Sequence, residues 1–514
     1  MGSSRTKKSI KNVIAGFFCQ SVTLILNFVA RSIFVRILSN EYLGINGLFS
    51  NILTILSFAE LGIGEALSFA MYRPAKEGNQ QKLQQLMQVY KLAYRGIAAL
   101  VTIVGLILSF FLDYLVAEKP NIPENFQVIF WLFLLNNVSS YLLAYKQSIL
   151  LVDQKKYVVL YIQQGAKIFQ ILLQIGVLLS VGSYYGFLLI QVLCTGLSNV
   201  ILSVYVQHTY PWLQQRGSLP PLEKSETKKI FSDVKALAIS KVAGVVSSGT
   251  DNIVIAKIIG LTSVGIVSNY TMVINSASTI LWGALAGVTG SLGNFNVSAK
   301  TSEKQSVFDE LFILVYWIYA VCCACMIAVL NPFIEIWLGN QYSVDAKIVI
   351  ALVLIAFVNG INLPVYTFRV TSGLFDQMKW PYFFWGIGNI MLSILLAFKS
   401  GLFGVYIATV ISRILICEIP EGYIVYKNIL HRPVWRYYVR YLMGMALMLI
   451  LGAVSASFCQ MIMVPGIIGF LLKATVSFLS CNIALLLCFG WRPEFRRLVG
   501  RAVKLSDKKS KKEG

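Results

Sequence analysis

Charge is what this sequence has least of. Of its 514 residues 13% are charged and 57% hydrophobic, with a mean hydropathy of +0.69. A soluble domain carries about 25% charged and roughly 45–50% apolar residues. The polar surface here is too small to cover a water-soluble globule, so lipid has to be the main solvent. Histidine is nearly missing, with only His208 and His431. That argues against a Cys/His metal site even though nine cysteines are present. Cys322, Cys323 and Cys325 lie in one apolar run and Cys19, Cys194, Cys459, Cys481 and Cys488 in others, where thiols behave as small hydrophobes. Acids number 23 against 44 bases, a net charge of +21. The bases sit in short segments between apolar runs, the pattern of cytoplasmic loops, which argues against a nucleic-acid partner. No Gly-rich loop ending in Lys-Ser/Thr occurs, so this is not an ATPase subunit. No segment between apolar runs is long enough to house the paired acids of a glycosyltransferase or polymerase. The chain is therefore read as no enzyme, and no cofactor is expected.

What the sequence does contain is apolar runs of membrane-spanning length, about 20 residues each. They predict an all-α polytopic protein of about fourteen transmembrane helices at 12–38, 43–70, 90–112, 125–150, 158–181, 184–207, 232–259, 263–293, 307–330, 345–370, 380–399, 402–425, 438–460 and 465–489. The basic N-terminus followed by an apolar stretch resembles a signal peptide, but the stretch is too long, carries Arg31 and Arg36, and shows no small-residue cleavage site. With the N-terminus inside, every inner segment is rich in Lys and Arg, and the outer ones hold only Lys119, Lys347 and Lys399. That bias predicts a multi-pass protein of the cell membrane with both termini cytoplasmic.

The two halves resemble each other. With an offset of 221, residues 31–49 align with 252–270, setting Arg36 on Lys257, Leu38 on Ile259, Gly44 on Gly265, Ile45 on Ile266 and Phe49 on Tyr270; further on, Gly62 meets Gly283. Each half begins inside and holds six spans, a parallel repeat of the kind that surrounds a central cavity in transporters. The expected organisation is an N-terminal six-helix bundle (1–207), a Pro-containing basic cytoplasmic linker (208–231), a C-terminal six-helix bundle (232–426), helices 13 and 14 (427–489), and a basic cytoplasmic tail (490–514).

Charged side chains in a span cost about 2.5 kcal/mol or more each by insertion scales, so each needs a reason. Gln20, Thr23, Asn27 and Arg31 share one face of span 1, being three and four residues apart. Similar stripes are Asn46, Ser50, Ser57, Glu60 and Gly64 on span 2, with Glu65 nearby; Lys241, Ser248, Asp251 and Asn252 on span 7; Ser268, Thr271, Asn275 and Ser278 on span 8; and Asn359, Asn362, Tyr366 and Arg369 on span 10. Lys167 lies mid-span 5 and Arg413 mid-span 12. On one reading these stripes line a water-filled cavity whose cationic surplus, Arg31, Lys167, Lys241 and Arg413 against Glu60 and Asp251, takes an anionic substrate such as a phosphate. On the other they are ion pairs and hydrogen bonds between helices. Arg36, Lys257 and Lys473 read as interfacial snorkellers, and Glu418 and Glu421, flanking Pro420, as structural or interfacial. Pro364 should kink span 10. Gly283, Gly287 and Gly290 give span 8 a small-residue face suited to close packing or bending.

Residues 31–66, RSIFVRILSNEYLGINGLFSNILTILSFAELGIGEA, with the following loop MYRPAKE (71–77), closely resemble the bacterial capsular and exopolysaccharide flippases, the polysaccharide transport family of the multidrug/oligosaccharidyl-lipid/polysaccharide (MOP) superfamily. The resemblance implies two six-helix bundles around a V-shaped cavity plus two further helices. It implies a flippase that moves undecaprenyl-pyrophosphate-linked oligosaccharide repeat units outward by alternating access, with polysaccharide polymerase and glycosyltransferases as partners. It favours Arg31, with Asn27, as substrate-binding; Lys167, Lys241 and Arg413 are weaker candidates, and Glu60 or Asp251 are candidates for coupling to an ion gradient. The rival expectations are a lipid-linked peptidoglycan precursor flippase, a multidrug exporter of the same superfamily, and a non-transporting scaffold for polysaccharide assembly.

Overall fold

A computed structural model describes residues 21–60, 63–153, 155–214, 222, 226, 228, 230, 234, 249–298, 300–374, 376–498 and 500. All regular structure among them is helical. In chain order the helices are α1 (21–37), α2 (Asn40–Leu56), α3 (Ile63–Glu77), α4 (Gln80–Ser109), α5 (Phe126–Leu142), α6 (Gln147–Val152), α7 (Lys156–Val181), α8 (Tyr184–Thr209), α9 (249–258), α10 (Leu261–Ser298), α11 (Thr301–Leu338), α12 (Ala346–Ile361), α13 (Leu363–Thr371), α14 (Lys379–Arg413), α15 (Ile419–Asn428), α16 (Trp435–Gln460) and α17 (Gly466–Phe489). Nine helical runs among the described residues are long and apolar enough to cross a bilayer, and one of them, Asp376–Asn428, holds two of the expected spans. This is a multi-pass all-α membrane protein. The chain packs as two compact units, residues 1–265 and 266–514.

In the first unit α4, α5, α7 and α8 pack side by side. Their ends are set by local chemistry. Asn79 accepts from the Lys82 amide to start α4, Asn125 from Gln127 and Val128 to start α5, and Ser183 from Gly186 to start α8. Gly182, with φ +65°, stops α7 one residue before that cap, so α7 and α8 form a tight hairpin. Phe49 of α2 is fully buried against Phe130 and Phe133 of α5, ring centroids 5.1 and 5.7 Å away. The first turn of α10 also belongs to this unit and meets α2 at backbone distance. A Cβ on Gly44 would lie 2.1 Å from the Leu261 carbonyl oxygen, and one on Gly265 would lie 2.3 Å from that of Asn40. The offset of 221 maps Asn40 onto Leu261 and Gly44 onto Gly265, so the contact is reciprocal in the repeat.

Span 2 departs from expectation. Instead of one helix over 43–70 and a loop over 71–77, α2 tightens into a 3-10 turn at Ser57–Glu60 and α3 runs on to Glu77. Ser57 is the physical cause. Its Oγ donates to the Leu53 carbonyl (2.7 Å) and accepts from Tyr141 (2.7 Å), which draws the last turn inward. On the far side of the break Tyr90 donates to the Gly64 carbonyl, 3.1 Å away, and glycine leaves room for it. The 71–77 stretch stays helical because an Arg73–Glu77 pair, one turn apart, supports it up to Gly78, whose φ is +70°.

In the second unit α11 is the central post, packed on α12, α16 and α17. It spans 38 residues, about 57 Å, and so runs well past the expected 307–330. Span 10 breaks as its proline predicts: α12 ends at Ile361 and Pro364 sits in the first turn of α13. Spans 11 and 12 meet at Gly401, whose φ of +57° and ψ of −137° suit glycine alone and turn α14 back on itself. Asn389 then reaches Thr409 (2.9 Å) and Ser412 (3.3 Å) across the hairpin. At Gly404 the two arms touch, since a Cβ there would lie 2.0 Å from the Leu396 carbonyl oxygen. Gly404→Ala is expected to destabilise the protein by about 1–3 kcal/mol through overpacking against a backbone atom that cannot rotate away. Thermal unfolding of the detergent-solubilised variant checks this, and a wild-type melting curve would mean that the hairpin opens without loss.

Candidate functional site

The break in span 2 places a carboxylate inside the first unit. Glu60 ends the 3-10 turn and accepts a hydrogen bond from the Tyr94 hydroxyl at 2.7 Å. It lines a cavity of about 390 Å³ to which α5, α6, α7 and α8 also contribute, within the usual range of ligand pockets, about 300–1,000 Å³. The lining is strongly polar. α7 contributes Gln163, Lys167 and Gln170; α5 contributes Asn136 and Ser140; α8 contributes Gln191, Thr195, Ser198 and Asn199.

Most of these groups are fixed by neighbours. Thr195 donates to Asn136 (2.8 Å), Asn199 to the Ser139 carbonyl (2.9 Å) and Gln163 to Gln147 (3.0 Å). Gln170 donates to Gln174 (3.2 Å), which in turn donates to the Phe187 carbonyl (3.0 Å). Lys167 is the charged group that is not so fixed. It is half-buried, eleven residues or about 16 Å along α7, and makes no hydrogen bond or ion pair among the described residues. It shares the cavity with Glu60 but does not pair with it. Amide side chains offer donors and acceptors together, so the lining as a whole suits hydroxyl-rich ligands, with one ammonium held ready for an anion.

The other predicted residues are distributed differently. Arg31 and Asn27 are half-buried on α1, whose stripe is anchored where Thr23 donates to Gln164 of α7 at 2.8 Å. Asp251 is half-buried on α9. Gln20, Lys241 and Ser248 lie outside the described residues. Arg413 belongs to the second unit and is engaged there: it pairs with buried Glu418 at 2.8 Å across a π-helical turn and stacks on Trp385, 4.7 Å from the ring centroid. Arg369 and Glu421 form a second buried pair at 2.5 Å. The cationic surplus expected from the sequence is therefore smaller than counted, because one of its four cations, Arg413, has a carboxylate partner. The amide lining on α5, α7 and α8 went unnoticed in the sequence. Its signal was available: Gln163, Lys167, Gln170 and Gln174 recur every three or four residues, as do Gln191, Thr195 and Ser198, with Asn199 next to the last.

Residues 9–289 match the family of polysaccharide biosynthesis proteins, more than half of the chain. The chain belongs to that family. The matched segment contains the whole cavity, from Glu60 to Asn199, and the α1 stripe with it. Among solved structures, the Lipid II flippase MurJ in an inward closed conformation superposes with a TM-score of 0.64 at 15% identity, covering 93% of this chain and 99% of that one. An inward-facing multidrug resistance MATE family transporter of the MOP superfamily gives 0.58 at 13% identity, covering 80% and 97%. A Vibrio cholerae MATE transporter gives 0.52 at 13% identity, covering 84% and 99%. No curated protein matches in sequence. This member of the family thus has the fold of MOP-superfamily transporters.

Proposed function

We propose that this protein is a flippase that carries undecaprenyl-pyrophosphate-linked oligosaccharide repeat units across the cytoplasmic membrane, by alternating access, for capsule or exopolysaccharide synthesis. The observation that carries the reading is the cavity: amide and hydroxyl side chains in a membrane bundle, around one lysine with no acidic partner among the described residues. Such a lining exchanges hydrogen bonds with sugar hydroxyls one for one, so a saccharide can leave water at little net cost. Lys167 supplies the positive charge for a phosphate, and the lipid tail stays in the bilayer. Membership of a polysaccharide biosynthesis family agrees with a saccharide cargo, and a neighbour in fold is named for flipping a lipid-linked substrate.

Arg31 and Asn27 on α1 are the second set of headgroup contacts in this scheme, and Lys241 is a further candidate from the sequence. Arg413 acts by holding Glu418 rather than by meeting substrate. Glu60 or Asp251 couples the cycle to an ion gradient. Both termini are cytoplasmic by the distribution of Lys and Arg.

The test is transport by the purified protein in liposomes. The probe is a fluorescent polyprenyl-pyrophosphate oligosaccharide, read by quenching from one side, with gradients of H⁺, Na⁺ and potential collapsed one at a time. Translocation that needs both pyrophosphate and saccharide is expected. Movement of cationic dyes instead would make it a multidrug exporter, and no movement of either would leave a scaffold. Rescue of a strain depleted of its peptidoglycan precursor flippase would redirect the substrate assignment.

A further inference from the structure

The second unit contains a groove that the transport scheme leaves unused. α11, α16 and α17 enclose about 460 Å³ between them. Its walls are apolar, with Val439, Met443 and Leu447 of α16 facing Tyr316 of α11. Tyr316 also donates to the Gly444 carbonyl at 3.0 Å, bringing the two helices close beneath it. Its mouth is basic, formed by Arg436 at the start of α16, Arg440 one turn on, and Arg492 just past α17.

The charges at the mouth are unequal. Asp309 is buried and takes both Arg432 (2.7 Å) and Arg440 (2.6 Å). Glu310 pairs with Arg497 at 3.4 Å, and Glu494 acts on Arg440. Arg436 and Arg492 have no acidic partner among the described residues. They lie over aromatic rings instead, 6.0 Å from the Trp435 centroid and 5.1 Å from that of Phe489. A guanidinium resting on a ring keeps its N–H edge for another acceptor, and that edge matches two phosphate oxygens.

The depth fits a lipid. From Trp435 to Leu447 α16 climbs twelve residues, about 18 Å. One leaflet of hydrocarbon is about half of a 30 Å core. An isoprenoid carrier chain is longer than one leaflet is deep and would overrun the groove, whereas an acyl chain fills one leaflet. Basic pockets between transmembrane helices are sites where anionic lipid headgroups bind.

We propose that this groove binds an anionic phospholipid. Arg436 and Arg492 take its phosphate, and an acyl chain lies along Val439, Met443 and Leu447. A zwitterionic headgroup would bring its own cation against the same two arginines, so the site selects for net negative charge.

The experiment is native mass spectrometry of the full-length protein, titrated in detergent with phosphatidylglycerol or with phosphatidylcholine. Wild type is expected to retain one phosphatidylglycerol with about 10- to 30-fold preference over phosphatidylcholine. The double variant Arg436→Gln/Arg492→Gln should lose that preference. Met443→Trp keeps both arginines but fills the groove, and should lose the bound lipid. Equal retention of the two lipids by wild type would overturn the proposal, as would an unchanged preference in the double variant. Competition by glycerol phosphate as effective as that of phosphatidylglycerol would reduce the site to an anion site. Displacement of the lipid by undecaprenyl phosphate at equal concentration would reassign it to the carrier. If the double variant does not fold, the wild-type preference and Met443→Trp still decide.

Discussion

Lys167→Gln is expected to cut translocation of a pyrophosphate-linked saccharide by about 10- to 100-fold while leaving the protein folded. The number follows from the bond removed. A hydrogen bond to a charged group contributes about 1.5–3 kcal/mol, and every 1.4 kcal/mol is about tenfold. Glutamine retains a donor but not the charge. The neighbouring amides are held by protein partners, Thr195 on Asn136 and Gln163 on Gln147, so truncating Gln163 to Ala removes only a neutral bond and should cost about tenfold or less. Stability gives the discriminating readout. Lys167 is half-buried with no acidic partner among the described residues, so its charge is a burden to the fold. A purely structural role would make the variant less stable, whereas a substrate role predicts lower transport with equal or higher thermal stability. Lys167→Arg should keep most of the activity. Full transport by Lys167→Gln at normal expression would remove Lys167 from the substrate site.

The membrane architecture was legible because apolar run length is a direct consequence of bilayer thickness. Expected turns such as Val181–Tyr184 and Ser400–Gly401 fall where Gly182 and Gly401 take conformations suited to glycine. The break in span 2 was not legible, because it depends on Tyr90, Tyr94 and Tyr141 reaching it from other helices. The candidate site was legible only in part. Glu60 and Lys167 stand out singly as charges in apolar runs, but their meeting in one cavity is a tertiary fact. The glutamines around them carry no charge and so do not stand out in an apolar run, although their spacing repeats every turn. Arg369, Arg413, Glu418 and Glu421 show the opposite problem. Spans 10 and 12 each carry striking charge, but which arginine meets which glutamate depends on how α13 and α15 pack and on a π-helical turn that the sequence does not announce.

The second large effect is expected at that pairing. Glu421 is fully buried; its Oε1 accepts from Arg369 Nε at 2.5 Å and its Oε2 from Asn362 Nδ2 at 2.8 Å. Arg369, also buried, donates further to the Leu374 carbonyl at 3.2 Å. The pair thus ties α15 to α13 and to the residue where span 10 breaks. Glu421→Ala leaves a buried guanidinium without its carboxylate and should destabilise the protein by about 3–5 kcal/mol. Arg369→Met alone should be similarly harmful, since it leaves the carboxylate. The double variant Arg369→Met/Glu421→Leu removes both charges and should recover most of the loss, because well-packed apolar residues replace a buried pair at little cost. Thermal unfolding of the three variants in detergent decides. Additive losses in the double variant would mean that each residue acts through packing rather than through the ion pair. Recovery of stability would mean that the two charges are retained for the register they impose between α13 and α15. In that case the rescued double variant should fold as well as wild type and yet transport more slowly, because the kink at Asn362 would no longer be held by Glu421.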